Sequence, residues 1–431
     1  MAVALDDLIP RNVLVATLTV ALLSLSIDLL PSGIEPEESQ LKYAPRTIDQ
    51  QQRFAAHASA ISSIDTGAGV FSKLGEVLFE GEALAPEDLA VSQDGVAFTG
   101  LIDGRIVSFA ADDAPLELHN FSRTGQQVDG CGELAHEPTC GRPLGLVFAD
   151  SKLFARYIKR IPSPKLFAGD QVLLVADAYK GLLLLDATGR KTLLFNHVED
   201  RESRERQRVN FLNGVAVTKT GHVFVTESSR RFQRNQVVLE YLERQLTGRL
   251  LRLDPRTGEV AVVASDLGFP NGLEVLDDGK ESLVMALTTQ HKLVRFTPAT
   301  GVLEDFAYVP SEPDNVSLET VGGRKVLVVG LATPSTGVVG FLKERVKTRK
   351  LLSLLPPWVT VALVKRSGSF AVLDAESGEV LRVFEDATGQ TAFLISGARR
   401  YVDHVYVLSW FRRALIRVPV AALEEQLGRK D

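Results

Sequence analysis

The sequence predicts an all-β fold of the β-propeller type, on three observations. From about residue 75 the chain reads as short Val- and Leu-rich runs separated by Asp-Pro, Thr-Gly and Asp-Gly turns, as in VLLVADAYKGLLLLD (172–186). That is the pattern of strands punctuated by hairpins. One hairpin recurs, in RLDPRTGEVAVV, RFTPATGVLEDF and VLDAESGEVLRVF; a spacing of roughly 45–60 residues with several strands per copy is that of propeller blades. Finally, five segments share one frame: APEDLAV (85–91), RPLGLVF (142–148), FLNGVAV (211–217), FPNGLEV (269–275) and EPDNVSL (312–318).

Ahead of the propeller, residues 1–12 form a short tail. Residues 13–30, VLVATLTVALLSLSIDLL, are a nearly unbroken apolar run. As a helix this run would span about 27 Å, the thickness of a bilayer's hydrocarbon. It exceeds the usual core of a cleaved signal peptide, so a single retained transmembrane anchor is expected, with cleavage after the small residues at 24–26 as the alternative. Arg11 precedes the run while Asp6 and Asp7 oppose it, a weak orientation signal. Residues 31–70 are assigned as a linker and membrane-proximal segment, and 71–425 as the propeller. VPVAALEEQL near the C-terminus is too short to span a bilayer. The bulk of the chain then sits on the lumenal or extracytoplasmic side.

That compartment decides how to read the two cysteines of the 431-residue chain, Cys131 and Cys140. In a cytosolic protein they would be ordinary thiols; in an oxidising lumen their spacing suits a disulfide. Asn120, in NFS, is a glycosylation sequon in an expected loop. Asn315, in NVS, also fits, but a channel-lining position would hide it. ARYIKRIPSPKLFAG (155–169) reads as a surface insertion in blade two. GFLKERVKTRKLLSLLPPWV (340–359) reads as a helix packed on the propeller, with a lid or a membrane-surface helix as alternatives.

The shared frame carries the candidate site. Its third position holds Glu87, Leu144, Asn213, Asn271 and Asp314, and a strand follows it in each copy. The innermost strand of a blade lines the central channel, so this column points its side chains toward the axis. Two carboxylates and two amides, with Asn315 as a possible fifth donor, are hard oxygen ligands without His or Cys, a set that selects Ca²⁺. The bland alternative is strand capping or channel water. A net charge of −6, from 54 acidic against 48 basic residues, gives no footprint for nucleic acid. No Gly-x-Ser-x-Gly elbow, P-loop or His-Glu-x-x-His occurs, and GAG (67–69) lacks the context of a dinucleotide site.

CGRPLG (140–145), VADAYKGLLLLD (175–186), FLNGVAVTKTGHVFVTESS (211–229), GRLLRLD (248–254), FPNGLEV and PDN (313–315) together resemble the strictosidine synthase-like family, over nearly the whole chain. SGIEPEE (32–38) is similar to a branch of it that is single-pass type II, with a lumenal or exoplasmic propeller. The resemblance implies six blades and kinship with paraoxonases and the gluconolactonase/senescence marker group. In those calcium enzymes the Glu, Asn, Asn and Asp positions match Glu87, Asn213, Asn271 and Asp314, and the paraoxonase Asp-Asn pair matches Asp314-Asn315. There are departures. Plant strictosidine synthase uses a sixth-blade glutamate as its acid/base, and LISGARRYVDHVYVLSW (394–410) has none, with Gly397 or a neighbour in its place. A paraoxonase His falls at Leu144; a second resembles His291, a weak candidate base whose bland reading is a partly exposed strand residue.

The expected function is a membrane-anchored, calcium-binding propeller hydrolysing a small lactone or aryl ester. Calcium would act as Lewis acid, and His291 or a water as base. The alternatives are a non-catalytic interaction scaffold with structural calcium, or a strictosidine-type condensing enzyme that has lost its glutamate.

Overall fold

The computed structural model describes residues 32–36, 69–111, 116–199, 205–333 and 345–428. The apolar run 13–30 and most of the 31–70 segment lie outside them. Among the described residues no helix is long and apolar enough to cross a membrane.

Six four-stranded antiparallel sheets form the propeller. Blades one to five each use four consecutive strands, starting from inner strands Leu89–Val91, Pro143–Asp150, Leu212–Val217, Pro270–Val275 and Pro313–Val321. Blade six takes Ile395–Tyr401, His404–Ser409 and Leu415–Pro419, and its outermost strand is the N-terminal Glu76–Leu78, which pairs with Leu415–Pro419. The ring is therefore closed by non-covalent pairing of the two ends of the propeller. Across the seam the Tyr406 hydroxyl donates to Ala111 O at 2.9 Å. The expected six blades are present; the closing strand is a feature the repeat did not reveal.

Blades pack face to face, so the middle strands are apolar on both sides. Val172–Ala176 and Leu182–Leu185 are buried throughout, which is why these segments read as continuous apolar runs rather than alternating ones. Inner strands share a second property. In blades two to six the pairing of the inner strand with its neighbour shifts register at the repeat column, between Pro143 and Leu146, Leu212 and Val215, Pro270 and Leu273, Pro313 and Val316, and Ile395 and Gly397. Such a bulge re-aims a side chain, here toward the axis. Glycine follows the column where neighbouring blades nearly touch. A Cβ on Gly214 would lie 2.5 Å from Asn271 O, and one on Gly272 would lie 2.4 Å from Asn315 Cα.

The insertions differ in role from their sequence reading. Residues 155–169 do interrupt blade two, but Tyr157 and Ile161 are buried in the core between blades two and three. Asn120 lies in the outermost strand of blade one, His119–Arg123, not in a loop; a blade edge exposes side chains as a loop does, and Asn120 is exposed. Cys131 and Cys140 form a disulfide. Helix Val237–Glu243, inserted in blade three, and helices Val346–Leu352 and Pro357–Ala362, inserted in blade five, pack together as a cap over one end of the channel.

Candidate functional site

Beneath the cap lies a cavity of about 320 Å³. Its floor contains Glu87, Asn213, Asn271 and Asp314, so the structure brings four of the predicted ligands into one site, all buried. Proton accounting fixes the two amides. The Ser228 hydroxyl donates to Pro270 O at 2.8 Å and the Thr288 hydroxyl to Pro313 O at 2.7 Å. Each hydroxyl can then only accept, so it takes an amide N–H, from Asn213 at 3.1 Å and from Asn271 at 3.3 Å. The amide oxygens are thereby left for the cavity. Asn213 Oδ1, Asn271 Oδ1 and Asp314 Oδ1 are buried and have no hydrogen-bond partner. Buried polar atoms are rarely left so; three around one cavity suit a hard cation. Among the described residues no three His, Cys, Asp or Glu side chains cluster as a metal site, so a cation here would rely on the amides.

Asn315 does not line the cavity. Its Nδ2 donates to Glu87 O at 2.9 Å, and the Ser396 hydroxyl donates to the same carbonyl at 2.8 Å. Together they hold Glu87 in place from the inner strands of blades five and six. By register, Ser396 and not Gly397 is the sixth-blade column residue; Gly397 instead provides room for the Asn315 side chain, whose Cβ would be 3.0 Å from a Cβ at 397. Leu144 lines the cavity as an apolar member of the column.

Sequence reading missed a second ring, two residues before the column: Ala85, Arg142, Phe211, Phe269, Glu312 and Leu394. The same repeat frame contained it. Arg142 is fully buried; its Nη2 lies 2.6 Å from Glu87 Oε2 and its Nη1 donates to Ala85 O at 3.0 Å. Phe211 and Phe269 meet edge-on at 5.5 Å, and the Tyr241 ring of the cap packs tilted against Phe269 at 5.3 Å. Arg244 Nη2 pairs with Glu312 Oε1 at 2.9 Å. His291 is not among the residues lining the cavity; its Nε2 stands 4.0 Å from Glu312 Oε1.

Burial pushes the Asp314 carboxyl well above the usual carboxylate range, and Glu87 adds to this, while Arg234 and Arg142 oppose it. Burial, then Glu312 and Asp314, likewise hold the Tyr241 hydroxyl well above its ordinary value, so it stays protonated at neutral pH. The disulfide loop buttresses this wall. Glu137 Oε2 accepts from the Tyr179 hydroxyl at 2.7 Å, and Arg234 Nη1 is 3.9 Å from Glu137 Oε1.

Residues 211–298 match the profile of the family described as strictosidine synthase, and 75–109 that of its strictosidine synthase-like N-terminal region. The adipocyte plasma membrane-associated protein of Bos taurus is 30% identical over 412 residues, covering 94% of this chain and 89% of that one. The chain belongs to the strictosidine synthase-like family. A further member, strictosidine synthase-like 13 of Arabidopsis thaliana, is 30% identical over 353 residues, 78% of this chain and 80% of that one. A gluconolactonase from Xanthomonas campestris superimposes with a TM-score of 0.50 at 15% identity, covering 83% of this chain and 93% of that one, a likeness of fold alone. Within the family fold, the sixth-blade inner strand here offers Ser396, Gly397 and Arg399 but no glutamate.

Proposed function

We propose that this protein is a membrane-anchored, calcium-binding propeller that hydrolyses a lactone or aryl ester in the capped cavity. The observation that carries the reading is the set of three unpartnered, buried oxygens of Asn213, Asn271 and Asp314 on the cavity floor. Glu87, Asn213, Asn271 and Asp314 would hold the calcium, which when bound supplies a Lewis acid for the substrate carbonyl. The chain's own residues do the rest. Leu144, Phe211 and Phe269 present an apolar wall to an acyl or aryl group. The cap limits entry of water. The protonated Tyr241 hydroxyl is a hydrogen-bond donor in the wall. His291 does not line the cavity and stands 4.0 Å from Glu312 Oε1, so in this reading it is not the base that touches substrate. Membrane anchorage draws on the apolar run 13–30 and on relatives named for association with the plasma membrane.

A second reading, a non-catalytic propeller with structural calcium, is favoured by one observation: Arg142 already occupies one oxygen of Glu87. Hydrolysis of a panel of lactones and aryl esters, with calcium and with chelator, separates the two. Calcium-dependent turnover supports the first; calcium binding without turnover of any substrate supports the second.

A further inference from the structure

We propose that the capped face of the propeller rests on the lipid bilayer, so that the cavity opens toward the membrane and takes substrate partitioned into lipid. The inference rests on the reading of residues 13–30 as a retained anchor and adds the orientation of the propeller beneath it.

The first observation is where the chain goes after the apolar run. That run ends at Leu30, and residues 32–36 are docked on the cap. Ile34 is 1% exposed and packs with Phe232 and Leu242, beside Leu352 of the blade-five helix. Glu35 N donates to Glu243 Oε1 at 2.8 Å, Gln245 Nε2 to Glu35 O at 3.1 Å, and Arg231 Nη2 to Gly33 O at 3.3 Å. Only Pro31 lies between Leu30 and Ser32, so the two residue steps reach at most about 7 Å. A bilayer crossed by 13–30 therefore has its surface within about 7 Å of this dock, on the cap side.

The second observation is the surface that the cap presents there. Leu351, Leu354, Leu355 and Leu363 are 44%, 42%, 41% and 43% exposed. A cluster of large apolar side chains on one short insertion marks an interaction surface. Around them, residues 345–366 contain six basic residues and no acidic one; Arg349 is buried against Leu242 O and Glu243 O, and the other five reach the surface at least in part, the mixture that binds an anionic lipid surface. The same insertion contributes Thr360, Val361 and Val364 to the cavity lining, and the lining also includes Phe411, 42% exposed. Apolar surface thus extends from the cavity wall to the outside. The opposite end of the channel is different: the inner strand Pro270–Val275 leaves it through the exposed, charged turn 277–280, DDGK. A protein partner or a second copy could cover leucines, but neither explains why the chain emerging from the anchor is pinned among the helices that carry them.

The test uses the full chain reconstituted into phosphatidylcholine/phosphatidylserine vesicles, with a nitroxide on Leu354→Cys or, separately, on Lys280→Cys at the far turn, labelled without reductant. Collision with lipid-soluble oxygen is compared with collision with a water-soluble nickel complex. The oxygen-to-nickel ratio should be about tenfold or more higher at 354 than at 280, as for a side chain in the headgroup–acyl boundary. Leu363→Cys repeats the measurement should Leu354→Cys not fold. Equal, water-like ratios at both sites in protein that resists alkaline carbonate extraction would overturn the orientation while leaving the anchor standing. Shielding of 354 from both colliders would show a protein covering the leucines, and would also overturn it. Protein released by carbonate would remove the anchor on which the inference rests, without touching the calcium-dependent hydrolysis.

Discussion

Arg142 is the internal cation of the candidate centre, and removing it should be felt more than any surface change. Arg142→Met keeps the volume of the side chain and deletes its charge and donors. Glu87 Oε2 would lose a contact at 2.6 Å and Ala85 O one at 3.0 Å, both in a fully buried setting. Stripping the partner from a buried carboxylate costs about 3–5 kcal/mol, and the orphaned carbonyl adds about 1 kcal/mol. An entropy of unfolding of about 2 cal/mol/K per residue, over a propeller of roughly 350 residues, converts each kcal/mol into about 1.4 °C. Arg142→Met should therefore melt about 6–8 °C lower than wild type in chelator. Most of that loss should return in Arg142→Met/Glu87→Gln, because the stripped charge is gone; the double-mutant cycle isolates the pair. A single variant within about 1 kcal/mol of wild type, or a double variant no better than the single, would refute the reasoning.

Three further outcomes are expected. Burial raises the Glu240 carboxyl from 4.5 to about 8, with the Glu243 charge adding and the Ser229 hydrogen bond opposing; the folded state then binds this proton more tightly than the unfolded one, so stability is highest below pH 4.5 for this group and is lost as pH rises toward 8. Its cost at pH 7 is about 3 kcal/mol, and Glu240→Gln should flatten the decline in melting temperature between pH 5 and 8; an unchanged slope would count against it. Thiol labelling of denatured, unreduced protein should find neither Cys131 nor Cys140 free, and reduction should cost about 3 kcal/mol for a loop of this length. Gly272→Ala drives a Cβ to 2.4 Å from Asn315 Cα, backbone that cannot rotate away, and should cost about 1–3 kcal/mol while Gly279→Ala, with nothing within 4 Å, pays only the strain of its positive φ.

Much of this architecture was legible because propeller blades repeat their strand pattern. A fixed frame of lead residues, column and alternation placed Glu87, Asn213, Asn271 and Asp314 together without any structure. The same frame, read two positions earlier, contained Arg142, Phe211, Phe269 and Glu312, so the second ring was available and unread. The sixth-blade column escaped because Ser396 replaces the larger polar residue and its segment departs from the frame. What the repeat could not disclose lies in the insertions. Helix Val237–Glu243 and the blade-five helices belong to single blades, so no periodicity announces Tyr241, Arg234 or Arg244 as cavity residues. The closing strand Glu76–Leu78 is likewise a contact between distant ends, which local pattern does not encode.

The central claim is that the column binds calcium, and its most direct measurement is melting with calcium and with chelator on four proteins. Wild type should melt higher with calcium; at free calcium 100 times the dissociation constant the gain is about 2.7 kcal/mol. Asp314→Ala should lose most of that gain, since it removes a charged ligand and one of the unpartnered oxygens. Asn271→Asp should keep it, and Leu144→Ala should leave the calcium response nearly intact, since that position offers no oxygen. A wild-type protein without a calcium shift, or an Asp314→Ala variant that shifts as far as wild type, would contradict the account.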